Sequence, residues 1–124
     1  MSATAVIELD GVLLVTIQGE LTDQDAIALQ HDLTTQVASV GARGVLIDIS
    51  ALEIVDSFLA RTLHDIAGST SLLAAETVVV GMRPEVAITL VELGLTLPGL
   101  RTALSVADGL ALFGGSIAAP SEGA

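Results

Sequence analysis

The sequence predicts an α/β fold, a mixed sheet of about five strands in which an N-terminal hairpin precedes parallel strands, packed with about four helices. Three observations carry that expectation. Two apolar runs meet at Asp10-Gly11, the pattern of a tight β-hairpin. After them, stretches with helical spacing alternate with short aliphatic runs, which calls for parallel strands joined by right-handed crossovers. Hydrophobic residues make up 52% of the chain, yet Phe58 and Phe113 are its only aromatics, so the core must be aliphatic. At 124 residues this is one domain, expected over 1–113, with a small, polar and disordered tail over 114–124.

In order, Ala5 to Leu9 and Val12 to Gln18 form the hairpin, with only four residues ahead of it, so no separate sensor domain is expected on this chain. Gly19 to Thr22 leads into a helix from about Asp23 to Val40, with Thr22 and Asp25 at capping-box spacing. Ala26, Leu29, Leu33, Val37 and Val40 make its apolar stripe, and Gly41 stops it. Asp23 and Asp25 are read as partners of the helix dipole. By local rules Gly68 with Ser69, Thr70 and Ser71 should end the second helix, although Leu72 and Leu73 could prolong it. Thr77 to Val80 is a strand ending at Gly81, and Pro84 opens a third helix with Val86, Leu90 and Leu93 on its apolar face and Gly94 as its stop. Leu100 to Leu104 reads as an edge strand. A last helix starts near Ser105, spaced for capping with Asp108, and runs to about Phe113.

Charge narrows the function classes. Fifteen acidic residues face four arginines and no lysine, a formal charge of −11, so nucleic acid and anionic membranes are poor partners. A protein with a basic patch suits this surface better. The absence of cysteine fits a reducing compartment, and no apolar run approaches the ~18 residues that span a bilayer, so the expected location is the cytoplasm. His31 and His64 fall on separate helices without ligand spacing, so no metal or cofactor is expected. Phosphate-cradling loops, His-Glu metal motifs and nucleophile elbows are missing too, which speaks against an enzyme.

The informative stretch is Gly44 to Arg61, GVLIDISALEIVDSFLAR. An apolar strand reaches Asp48, a short loop follows, and Asp56 caps a helix whose apolar side is Leu59, Leu63 and Ile66. Ser57 therefore sits in a helical first turn, where free amides and the positive dipole end tolerate a phosphate. In such sheets the functional surface lies at the carboxyl ends of the strands, so the Asp48 to Ser57 and Gly81 to Pro84 loops should be neighbours. Read locally, Ser57 is a plain first-turn residue, Asp48 a strand end, Arg83 a loop closure, Phe58 core or interface packing, and Met82 loop packing.

Strand, Asp48, loop and helix-opening Asp56-Ser57 resemble the phosphoacceptor region of STAS domains, the family that includes bacterial anti-anti-sigma factors. Most of those factors follow Asp-Ser with a small residue and soon a glycine, whereas Phe58-Leu59 stands here, which argues against an ordinary anti-anti-sigma factor. Asp48 to Arg61 and Gly81 to Gly94 (GMRPEVAITLVELG) together are similar to the RsbS-like members of the family, small proteins of the bacterial stressosome. The likeness covers nearly all of Val6 to Phe113, and in the family the second helix runs through the position of Gly68, which reduces the expected break to a bend.

The resemblance implies a non-enzymatic, phosphorylation-switched scaffold. Ser57 would be the phosphoacceptor, with Asp48, Asp56, Phe58, Arg61 and Arg83 as partner-binding residues. Implied partners are a serine/threonine switch kinase, sensor-bearing STAS paralogues and a second copy in a homodimer within a large shell. The competing readings are an ordinary anti-anti-sigma factor and a STAS subunit of a membrane transport complex.

Overall fold

Asp10 and Gly11 take φ values of 52° and 82°, so both turn residues are left-handed. That conformation lets strand β1 (Thr4–Leu9) fold back on β2 (Val12–Ile17), with Leu9 opposite Val12 and Ile7 opposite Leu14. The computed structural model describes residues 4–18, 22–52, 57–92 and 100–113. The expected tail, the Gly19 to Leu21 lead, the Asp56 cap and the Leu93-Gly94 stop lie outside them.

Strands β3 (Gly44–Asp48), β4 (Glu76–Val80) and β5 (Leu100–Ala103) follow β2 in parallel, giving a five-stranded sheet in the order β1-β2-β3-β4-β5. Between and after them come helices α1 (Asp23–Val40), α2 (Ser57–Leu72), α3 (Pro84–Glu92) and α4 (Val106–Ala111). Thr22 and Asp25 complete the capping box of α1, and Gly41 at φ 64° ends it. Ser105 caps α4 by accepting from the Asp108 amide.

Strand alternation splits the interior into two cores. Leu13, Val15, Ile17, Val45, Ile47 and Val79 pack with Leu29 and Leu33 of α1, Leu63 and Ile66 of α2 and Val86 of α3. On the opposite face Val12, Leu46, Val78 and Val80 gather around Phe113, with Leu110 and Leu112 beside it. Each fully buried aliphatic side chain contributes about 1.5–3 kcal/mol, which is how a core with so few rings holds together.

Two expectations change. Val40 leaves the buried stripe of α1: it is 52% exposed as the last helical residue, and the chain re-enters the core only after the Gly41 turn, at the buried Ala42. The break that local rules give at Gly68 does not occur: α2 continues to Leu72, running through that position as the family resemblance implies. A side chain at position 68 would meet nothing within 4 Å, so glycine there costs only its propensity, about 1 kcal/mol. The next turn is held from inside. The fully buried Thr70 hydroxyl lies 3.0 Å from the Ile66 carbonyl and 2.8 Å from the Thr77 hydroxyl on β4.

That buried hydroxyl pair makes a prediction. Thr70→Val strips Thr77 of its partner and should cost about 1–3 kcal/mol, whereas adding Thr77→Val should recover most of the loss, because no polar group is then left unsatisfied. Urea denaturation of the two single variants and the double variant measures this. Simple addition of the two single costs would rule it out.

Candidate functional site

Parallel strands β3 and β4 end side by side, with Asp48 in register with Val80, so the loops that leave them start as neighbours. The chain then ties them together. The Ile49 amide donates to the Val80 carbonyl at 3.0 Å, and the Leu52 amide donates to the Ile49 carbonyl at 3.0 Å. Gly81, at φ 78°, lies so close to Ser50 that an added Cβ would stand 2.5 Å from the Ser50 Cβ and 2.8 Å from its Cα. Only glycine meets both conditions there, since a side chain would be strained by its backbone and blocked by the neighbouring loop. The expected apposition of the two loops is what the structure has.

Asp48 is half-buried and its Oδ1 accepts twice from Ser50, from the amide at 2.9 Å and from the hydroxyl at 2.7 Å. This is a side-chain-closed turn, so the carboxylate shapes the loop before it meets any partner. Ser57 is the first residue of α2, at the helix's N-terminal, dipole-positive end. Counting along the helix, position 57 lies one turn before Arg61, and the stripe through Arg61 and Gly68 is exposed while Leu59, Leu63 and Ile66 are buried. Phe58 is half-buried, and its carbonyl accepts the Thr62 hydroxyl at 2.9 Å.

Arg83 is exposed and its carbonyl receives the Val86 and Ala87 amides, so it stands at the start of α3. Neither Arg61 nor Arg83 is paired with a carboxylate among the described residues. The other two arginines are structural. Arg43 donates to the carbonyls of Phe113 and Asp10 at 3.1 and 3.4 Å, and Arg101 makes a half-exposed ion pair with Glu76 at 3.8 Å. The two exposed cations with no carboxylate partner among the described residues thus stand on α2 (Arg61) and just ahead of α3 (Arg83), the helices that follow the paired loops.

One feature escaped the sequence reading. Gln30 on α1 donates to the Ser69 hydroxyl on α2 at 3.1 Å, at the floor of an open groove that His64, Asp65, Gly68 and Leu72 also line. The exposed Gly68 was its one visible trace. Among the described residues no group of histidine, aspartate and glutamate is placed to hold a metal ion, and no helix is long and apolar enough to cross a membrane.

A hairpin closed by two positive-φ residues, three further strands in parallel and a helix that follows the strand ending at Asp48 agree with a family match. The STAS domain model matches residues 3–109. The chain belongs to the STAS domain family. RsbS from Moorella thermoacetica, solved as a serine-to-glutamate variant, superposes with a TM-score of 0.80 at 39% identity, over 90% of this chain and 95% of that one. A chain in a structure described as the molecular architecture of the stressosome, a signal integration and transduction hub, gives 0.78 at 40% identity, over 88% and 95%.

The RsbT co-antagonist protein RsbRD of Bacillus subtilis is 33% identical over 82% of this STAS chain, which spans only 37% of RsbRD. The phosphorylated and unphosphorylated forms of the anti-sigma factor antagonist SpoIIAA match at 14% identity, a likeness of fold alone. The STAS protein is thus RsbS- and RsbR-like, within a family of non-enzymatic signalling proteins.

Proposed function

We propose that this STAS protein is a cytoplasmic stressosome subunit that holds a serine/threonine switch kinase and releases it when Ser57 is phosphorylated. The observation that carries the reading is the match to RsbS at 39% identity over nine-tenths of both chains, with Ser57 at the head of α2. The Bacillus relatives are named as co-antagonists of RsbT, which supports a partner of that kind. Sensor-bearing STAS paralogues would share the shell, and self-association would build it.

The mechanism is electrostatic. A phosphate brings about −1.5 to −2 charges at pH 7, accepted locally by the amides of the first turn and by Arg61 one turn on. The kinase would dock across Asp56, Phe58, Arg61 and Arg83 beside the Asp48 loop, and a dianion in the middle of that surface repels or displaces it. Losing a few kcal/mol suffices, since each ~1.4 kcal/mol is tenfold in affinity.

Two measurements test the proposal. Mixed with a sensor-bearing paralogue, the protein should elute as a very large particle, and incubation with the switch kinase and ATP should add one phosphate, at Ser57, by mass spectrometry. Failure to co-assemble ends the scaffold reading, and phosphate at any other residue ends the assignment of the switch.

A further inference from the structure

Gly68 has no use inside the fold. It lies within α2 in ordinary helical backbone, and a Cβ built on it would meet nothing within 4 Å. Each of the other described glycines has a reason within the chain, either a positive φ or a group pressed against it. Alanine at position 68 would give a more stable helix. What a glycine on an exposed helical face does offer is room outside, since a second backbone comes closer where no side chain stands between. The notch it leaves opens into the groove between α1 and α2, beside the Gln30–Ser69 bond. Aliphatic side chains stand at the rim: Leu72, one turn on, is 87% exposed, and Ile27, one turn before Gln30 on α1, is 68% exposed.

The groove prolongs the surface that carries Ser57. Ser57, Arg61, Asp65, Gly68 and Leu72 follow one another at steps of three or four residues along one face of α2. An ordinary interface covers ~800 Å² per partner, a disc of about 16 Å radius. At about 1.5 Å per residue, such a disc centred on Arg61 takes in Ser57 about 6 Å one way and Gly68 about 10 Å the other, with Leu72 at its edge. A partner that covers Ser57 and Arg61 therefore reaches the notch. Charge agrees, because Asp65 brings a carboxylate to the groove and a second copy would add its own −11, so a cationic segment suits the site and this chain does not. We propose that a helix of the switch kinase, small or apolar on one side with Lys or Arg beside it, lies in the α1–α2 groove against Gly68 while the kinase covers Ser57. This depends on the kinase capture of the proposed function and names the surface that extends it.

Titration calorimetry with the switch kinase, paired with thermal melts, tests this. Gly68→Ala should melt about 3–6 °C above the wild type and yet bind the kinase about threefold more weakly, a combination that a purely structural role does not give. Gly68→Gln and Leu72→Gln should each weaken binding about tenfold or more. Asp65→Asn should cost about threefold at low salt and nothing at 1 M, as a cation facing it requires. Ala28→Gln, an enlargement at an exposed α1 position turned away from Gln30, should bind as the wild type does. Folded Gly68→Gln and Leu72→Gln variants with wild-type affinity overturn the proposal, as does an Ala28→Gln variant that loses as much as they do. If those groove variants bind normally while Ser57→Asp does not, the groove falls and the switch stands. A wild type that fails to capture the kinase removes the proposed function and this inference with it.

Discussion

Ser57→Asp should weaken capture of the switch kinase by about 100-fold, while Ser57→Ala should bind as the wild type does. A unit charge placed about 5 Å from a like charge on the partner, at the effective dielectric of ~20 found near protein surfaces, costs about 3 kcal/mol, or roughly 150-fold. The fold should be indifferent to both changes, because an acidic side chain in the first turn of a helix interacts favourably with its dipole. Titration calorimetry with the kinase gives the affinities, and thermal melts of the same samples give the stabilities. The gap between the two variants should shrink at 1 M salt, where the screening length falls to ~3 Å. Equal affinities would remove the charge mechanism. Loss of binding in Ser57→Ala would mean that the kinase reads the hydroxyl itself.

Gly44→Val should be the most destabilising single change considered, at about 3–5 kcal/mol, the range seen when a buried phenylalanine is lost. Gly44 opens β3, and the Phe113 ring occupies the space where a side chain would stand: an added Cβ would be 2.1 Å from Cε1 and 2.5 Å from Cδ1. The ring must therefore leave. With it goes the centre of the second core, which includes Val12, Leu46, Val78 and Val80, and the Arg43 bond to the Phe113 carbonyl. A drop of roughly 10–20 °C in melting temperature is expected. Removing the ring in advance tests the cause. Gly44→Ala should cost much less in a Phe113→Ala background than in the wild type, because the two sites share one space. Equal costs in both backgrounds would show that the glycine is needed for its backbone and not for the ring.

Much of this was legible in the chain, and where it was, a nearest-neighbour reason exists. Asp10-Gly11 announces a turn because few other residues adopt positive φ, and Thr22 with Asp25 marks a helix start because their side chains reach amides three residues away. Ser57 at the head of α2 follows from the same local logic. Val40 and Gly68 were misjudged by the same rules, which count periodicity and propensity but not where the sheet ends or what a late helical turn packs against. Read locally, Asp48 is a strand end, and only the family resemblance implies a partner contact; its two bonds to Ser50 add a local task that the spacing alone did not suggest.

By itself the sequence determined the kind and order of the elements, the side of each strand and helix that turns inward, and the residue that heads the second helix. All of these depend on sterics and hydrogen bonds within about one helical turn, or on a simple repeat. Only the tertiary structure decided which surfaces meet: Gly81 against Ser50, Thr70 against Thr77, and Phe113 over Gly44. Those contacts join residues up to 69 positions apart, from Gly44 to Phe113. They depend on strand order and on how closely two backbones approach, and no local pattern encodes either quantity.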